Sequence, residues 1–125
     1  MKIQLDRPGS SNVIQSYAPG RITVNSIHYA SSLILTPERV IENWPPTCFS
    51  EIEDKHMEMI VALSPEVAVL GTGRCLRFPA RTVLRPFYVK GVGIEVMDTG
   101  AACRTYNVLM AEGRRVAAAL LIIEE

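Results

Sequence analysis

The run Val116 to Ile123, VAAALLII, is eight residues long and has no polar side-chain atom. A surface strand or surface helix is not so uniformly apolar, so this run reads as a buried strand or a buried helix that the rest of the chain must cover. Its place just after a stretch that Asp98 or Thr99 caps and Gly113 closes favours the strand. It also falls far short of the roughly 20 apolar residues that a membrane-spanning helix requires, so no bilayer crossing is expected.

The segments before it follow the same alternation. Gly93 to Met97 reads as a strand leading into the capped helix, and Pro65 to Leu70 is a short, valine-rich run ending in Gly71-Thr72-Gly73, a buried strand that enters a tight loop at its carboxyl end. Between them, Pro79 to Lys90 reads as a crossover helix ending at Gly91. Pro86 removes a backbone donor inside it, so a kink, or a shorter helix starting near Pro86, is expected. Ser50 to Leu63 reads as a helix with a capping box of Ser50 and Glu53, and with Ile52, His56, Met59, Ile60 and Leu63 on one face. Thr36-Pro37-Glu38 suits a helix start that Pro45-Pro46 stops, which gives a short helix from Pro37 to Glu42.

The N-terminal third has a different texture. From Ile3 to about Thr36 come short β-prone runs, Val13 to Tyr17, Arg21 to Val24, Ile27 to Tyr29 and Leu33 to Leu35, broken at Pro8-Gly9 and Pro19-Gly20. Pro19 presets φ and Gly20 accepts φ > 0, as a type II turn demands. Strands alternating with helices imply parallel neighbours joined by crossovers. The expected architecture is therefore α/β: a single three-layer domain, residues 1–125, with a mixed, partly parallel central sheet, helices packed on it and a strand-rich N-terminal third.

Composition narrows the function. The 125 residues are 48% hydrophobic and 21% charged, enough to build a core without disulfides or metal. Thirteen basic against thirteen acidic residues give no net charge, and hence no global field to draw nucleic acid or anionic lipid. Low net charge also weakens self-repulsion, which leaves a homo-oligomer open. Cys48, Cys75 and Cys103 form no CxxC pair, which argues against a disulfide framework or zinc site and for a reducing, cytoplasmic setting. The residues from Met1 to Gly9 carry an acid, a proline and a glycine where an export signal would need an apolar run, so none is expected.

The residues Leu70-Gly71-Thr72-Gly73, Phe78-Pro79, the run from Gly93 to Leu109 (GIEVMDTGAACRTYNVL) and the run from Glu112 to Leu121 (EGRRVAAALL) resemble a small α/β domain family that includes mitochondrial respiratory complex I assembly factor 3 and its bacterial relatives. The resemblance implies a three-layer domain with a mixed central sheet. For the eukaryotic branch it implies a role in assembling a membrane complex, with no assigned catalytic step. No mitochondrial targeting segment is visible, so the chain looks like a bacterial-type member. The resemblance supplies no catalytic residue.

Candidate binding residues come from the chain itself. Gly71-Thr72-Gly73-Arg74 at a strand end reads either as a plain tight turn or as a loop offering backbone donors and a guanidinium to an anion. It lacks both the GxGxxG and the GK[ST] spacing. Asp98 and Thr99 either cap the next helix or, if their strand lies beside the first, help to open a crevice where α/β sheets bind ligands. Cys103, about one turn into that helix and next to Arg104, reads as a nucleophile with a lowered thiol pKa or as a half-buried structural residue. On a helical wheel Ala101, Ala102, Thr105, Tyr106 and Leu109 form the apolar face, with Cys103 and Met110 at its edge and Arg104 and Asn107 opposite. His28 and His56 are isolated, so no metal site, cofactor or catalytic constellation is expected. Arg104, Arg114 and Arg115 form surface ion pairs with Asp98 and Glu112 or mark a partner-binding face.

Two functions remain open on these residues. One is a non-catalytic module that binds proteins and assists assembly, with a membrane-complex subunit as one possible partner. The other is a small-ligand or anion-binding protein or enzyme that uses the crevice between Gly71–Gly73 and Asp98–Thr99. A homo-oligomer joined through the strand-rich third is a third possibility.

Overall fold

A computed structural model describes residues 11–122. The expected break at Pro8-Gly9, the start of the β-prone region at Ile3 and the last residue of the Val116–Ile123 run lie outside the described residues. Strands β1 (Ile14–Ala18), β2 (Arg21–Val24) and β3 (Ile27–Tyr29) form an antiparallel three-stranded sheet. Gly20 turns the first hairpin at φ +82°, as the Pro-Gly pair predicts. Asn25 and Ser26 turn the second with φ of +49° and +70°, the primed geometry whose twist matches that of paired strands.

The central sheet has the order β5-β4-β8-β6-β7, built from β4 (Leu33–Leu35), β5 (Val40–Glu42), β6 (Val67–Gly71), β7 (Gly93–Met97) and β8 (Val116–Leu120). β6 pairs in parallel with both β7 and β8, while β4 is antiparallel to β5 and β8. The mixed sheet and the strand β8 agree with the sequence reading. β8 lies in the interior of the sheet with all five residues buried, as its lack of polar atoms requires.

Alternation along these strands divides the core in two. Leu33, Leu35, Val69, Val116, Ala118 and Leu120 face one side, where Ile14, Ile22 and Val24 of the small sheet and Ala102, Cys103 and Tyr106 cover them. Ile34, Ala68, Leu70, Ala117 and Ala119 face the other, under Met57, Ile60, Leu84, Phe87 and the fully buried Trp44. The covering helices are α1 (Asp54–Val61), α2 (Arg81–Lys90) and α3 (Thr99–Ala111). The alanines of β8 leave room for elements to approach closely on both faces.

Four local expectations are corrected. The short helix from Pro37 to Glu42 is instead a turn and β5. Thr36 Oγ1 accepts hydrogen bonds from the Glu38 and Arg39 amides at 3.3 and 2.9 Å, and the Thr36 amide donates to the Arg39 carbonyl at 2.9 Å. The threonine thus closes a hairpin rather than capping a helix, and β-branched Val40 and Ile41 continue as strand.

The helix expected from Ser50 begins at Asp54. Phe49–Glu51 form a single 3-10 turn, and Glu53 is the cap, sharing a reciprocal capping box with His56. The face then buries His56, Met57 and Ile60, whereas Met59 is exposed. Helix α2 runs from Arg81 to Lys90 through Pro86, so it is not the shorter helix starting near Pro86. The carbonyl that proline leaves unpaired belongs to Thr82, an exposed residue facing solvent. Gly91, at φ +69°, ends that helix, with the Val92 amide reaching back to the Phe87 carbonyl. Asn107, placed by the wheel away from the apolar face, is partly buried and grips β1.

Candidate functional site

The parallel strands β6 and β7 end side by side, so Gly71–Gly73 and Asp98–Thr99 meet, as the sequence reading required for a crevice. Their chemistry closes it. The Thr72 amide donates to the Met97 carbonyl at 2.9 Å, and the Thr99 amide donates to the Gly73 carbonyl at 2.9 Å. Thr99, fully buried, accepts from the Gly73 amide at 2.8 Å through Oγ1 and donates from the same hydroxyl to the Leu121 carbonyl at 2.6 Å. The Leu121 amide returns to the Gly71 carbonyl at 3.0 Å. One hydroxyl therefore joins the carboxyl ends of β6 and β8 at the start of α3.

Gly71 has no side chain because none fits. A Cβ there would lie 2.9 Å from Thr99 Oγ1, 3.0 Å from Thr99 Cα and 3.1 Å from Ala102 Cβ. The Thr72 hydroxyl holds the following loop by donating to the Cys75 carbonyl at 2.6 Å and accepting from the Arg77 amide at 3.2 Å. Asp98 caps α3 through Oδ1, which accepts from the Ala101 amide at 2.9 Å. The amides of Thr72, Gly73, Thr99 and Ala101 thus all end on protein oxygens and form no anion cradle. Arg74 stands exposed at the head of the loop.

Cys103 lies one turn along α3 with 4% of its surface exposed. Burial pushes its thiol up to about 12, outweighing the opposing pull of the Arg104 guanidinium. At neutral pH it is a protonated, apolar core group rather than a thiolate. Arg104 is exposed one position on and rims a hollow of about 240 Å³ between α3 and β1, floored by Gly100 and Cys103 and flanked by Tyr17. This hollow, and not the strand-end junction, is where Cys103 and Arg104 meet.

The sequence reading missed the clasp that forms this hollow. Asn107 Oδ1 accepts from the Ile14 amide at 3.0 Å and its Nδ2 donates to the Ile14 carbonyl at 2.7 Å. The hydroxyl of Tyr106, whose ring is buried, donates to the Asn12 carbonyl at 2.8 Å. The adjacent hydrogen-bonding side chains Tyr106 and Asn107 in the middle of α3 were the available signal, though neither names its distant partner. A second depression, of about 900 Å³, lies between the length of α1 and the C-terminal half of α2, with Asp54, Glu58, Arg85, Lys90 and Arg115 on its walls. Arg114 and Arg115 pair with Glu66, at 2.7 and 3.8 Å, rather than with Asp98 or Glu112.

The two histidines have structural partners. His28 Nδ1 is 2.7 Å from Thr23 Oγ1 across the β2–β3 pair. His56 Nδ1 accepts from the Glu53 amide at 2.9 Å, and its ring packs edge-on to Trp44 with centroids 6.2 Å apart. Among the described residues no group of three or more His, Cys, Asp or Glu side chains is placed to hold a metal ion, and no helix is long and apolar enough to cross a membrane.

Residues 14–121 match the family described as protein of unknown function (DUF498/DUF598). The chain is 27% identical over 122 residues to a "13 kDa major membrane protein" of Francisella tularensis, covering 97% of this chain and 99% of that one. It is 31% identical over 123 residues to NADH dehydrogenase [ubiquinone] 1 alpha subcomplex assembly factor 3 of Danio rerio, covering 97% of this chain and 70% of that one. A solution structure of a Bordetella pertussis protein described as a Mth938-like domain superposes with a TM-score of 0.83 at 33% identity, over 100% of this chain and 94% of the other. The matched span includes the junction, the Asn107–Ile14 clasp and most of both core faces, and on that ground the chain belongs to the DUF498/DUF598 family, with complex I assembly factor 3 among its homologues.

Proposed function

We propose that this protein is a non-catalytic protein-binding module that assists the assembly of a larger complex. The observation that carries the reading is the 31% identity to an assembly factor over 97% of this chain, so that the whole α/β unit, and not one motif, is what the two share. The geometry agrees with it. The strand-end junction, where an α/β enzyme would hold substrate, is filled by the protein's own hydrogen bonds. The surface proposed for the partner is the α3–β1 ridge, with exposed Arg104 beside Gly100 and Tyr17. A membrane-complex subunit is the partner class the relatives suggest, and a reducing, cytoplasmic setting accompanies the reading.

Binding of a small ligand or anion is the alternative, and of the residues that the sequence singled out for it, Cys103 and Arg104 meet at the α3–β1 hollow. At about 240 Å³ it is below the roughly 300–1,000 Å³ of ordinary ligand pockets, which favours a protein contact. Affinity purification after mild crosslinking, with wild type and Arg104→Ala compared by mass spectrometry, tests the proposal. A specific partner set lost in a variant that still folds supports it. Turnover of a defined metabolite, abolished by one substitution at Arg104, overturns it. Light scattering on the same samples tests self-association through β3, the edge strand on which Ile27 is 56% exposed.

A further inference from the structure

Overall neutrality conceals a strong local segregation of charge. Between Glu66 and Glu95 there is no acidic residue, yet Arg74, Arg77, Arg81, Arg85 and Lys90 all fall there. Three of these cations lie on α2, whose opposite face is buried through Leu84 and Phe87. Arg81, Arg85 and Val89 follow one another at intervals of four, so they form a single row along the outer side of the helix, with Tyr88 next to it. Among the described residues Arg81, Arg85 and Lys90 take part in no ion pair. Exposed apolar groups stand among them: Phe78 is 70% exposed, Val89 67%, Tyr88 54% and Leu76 50%.

We infer that this face, α2 with the Arg74–Ala80 loop, docks flat on an anionic phospholipid surface, its cations at the headgroups and Phe78, Leu76 and Val89 entering the interface. Exposed phenylalanine, leucine and valine interspersed with Arg and Lys, without intervening acids, is the composition of an interfacial helix face. Screening confines charge interactions to about 10 Å at 0.1 M salt, so a neutral chain with a segregated patch still attracts a surface that the patch touches. An acidic peptide is the less suitable occupant. The concave site next to α2, one wall of which is made by Arg85, Val89 and Lys90, has Asp54 and Glu58 on the other, so a peptide seated in it would meet both signs of charge, whereas a flat surface laid on the outside of α2 meets the exposed Arg81, Arg85, Tyr88, Val89 and Lys90. The inference stands apart from the α3–β1 partner surface, so either can fail without the other.

The test is sedimentation of the full chain with vesicles of phosphatidylglycerol and phosphatidylcholine, and with phosphatidylcholine alone. Binding is expected to the anionic vesicles only and to fall steeply between about 0.1 and 0.5 M salt. Each cation near such a surface changes partitioning about fivefold, so the triple variant Arg81→Gln, Arg85→Gln, Lys90→Gln is expected to bind roughly 100-fold more weakly. All three positions are surface-exposed, so the variant should keep the wild-type Tm. A Phe78→Trp variant reports insertion by a blue shift of its emission over that of buried Trp44. Equal binding to both vesicle types, an unaltered triple variant or an emission spectrum of the Phe78→Trp variant that vesicles leave unmoved overturns the inference. So does an acidic protein captured by wild type and lost from the triple variant when neither binds vesicles.

Discussion

Replacing Gly71 with alanine tests the junction that closes the strand ends. The added Cβ would sit 2.9 Å from Thr99 Oγ1 and 3.0 Å from Thr99 Cα. Neither neighbour is the free end of a flexible side chain, because Thr99 is fully buried and bonded to both Gly73 and Leu121. β6 is held on both sides, by β7 and β8, so the strand cannot step aside either. Overpacking of this kind costs about 1–3 kcal/mol. Displacing Thr99 weakens two hydrogen bonds, each worth about 1 kcal/mol. The expected loss is about 3 kcal/mol by urea denaturation, or roughly 10 °C in Tm.

Gly93→Ala is the matched control. It also adds one methyl within a strand, but at Gly93 the nearest atoms, the Glu66 carbonyl oxygen and Val67 Cγ2, are 3.8 and 3.9 Å away, an ordinary contact. That change should be within about 0.5 kcal/mol of wild type, or stabilising through the lower chain entropy of alanine. Equal effects of the two substitutions would refute the close-packed junction. A Gly71→Ala protein with wild-type stability would restore the open crevice as a ligand site.

Three further outcomes follow from the same geometry. Asn107→Ala should cost about 1–3 kcal/mol and, more tellingly, should speed amide exchange at Ile14, whose amide then has no partner; unchanged exchange there would mean that the clasp does not hold β1. Cys103 should alkylate far more slowly than exposed Cys75 at pH 8. Because burial raises its thiol from 9.0 to about 12, its contribution to stability should be complete below about pH 9 and lost as pH climbs towards 12, a decline that Cys103→Ala should reduce. Burial lowers the pKa of His56, with Glu53 opposing, and the Glu53 amide requires its Nδ1 unprotonated. Stability should therefore fall as pH drops below about 6.5, and His56→Gln, which keeps an acceptor for the capping box, should flatten that dependence in pH-jump unfolding.

The types of most elements were legible from residues a few positions apart. The uniform apolarity of Val116–Leu120 required burial on both faces, Asp98 and Gly113 bracketed α3, and Pro19-Gly20 set a turn, because periodicity, caps and φ preferences act within one or two turns of chain. The candidate site was legible only as a list of residues that would meet. Whether they met to form a crevice or a seal depended on where the Thr99 hydroxyl pointed and on the Leu121 carbonyl 22 residues away. Similarly, Asn107 looked like a solvated position until Ile14, 93 residues earlier, lay across it. Thr36 looked like a helix cap until β5 folded back to pair with β4. Cys103 has the helix N-terminus and an arginine that would lower its pKa, yet the small sheet over α3 removes it from water and reverses the sign. Local sequence determines the torsional and periodic preferences of each segment; the desolvation and hydrogen-bond partners of a side chain belong to the segments packed on it, and those only the tertiary structure decided.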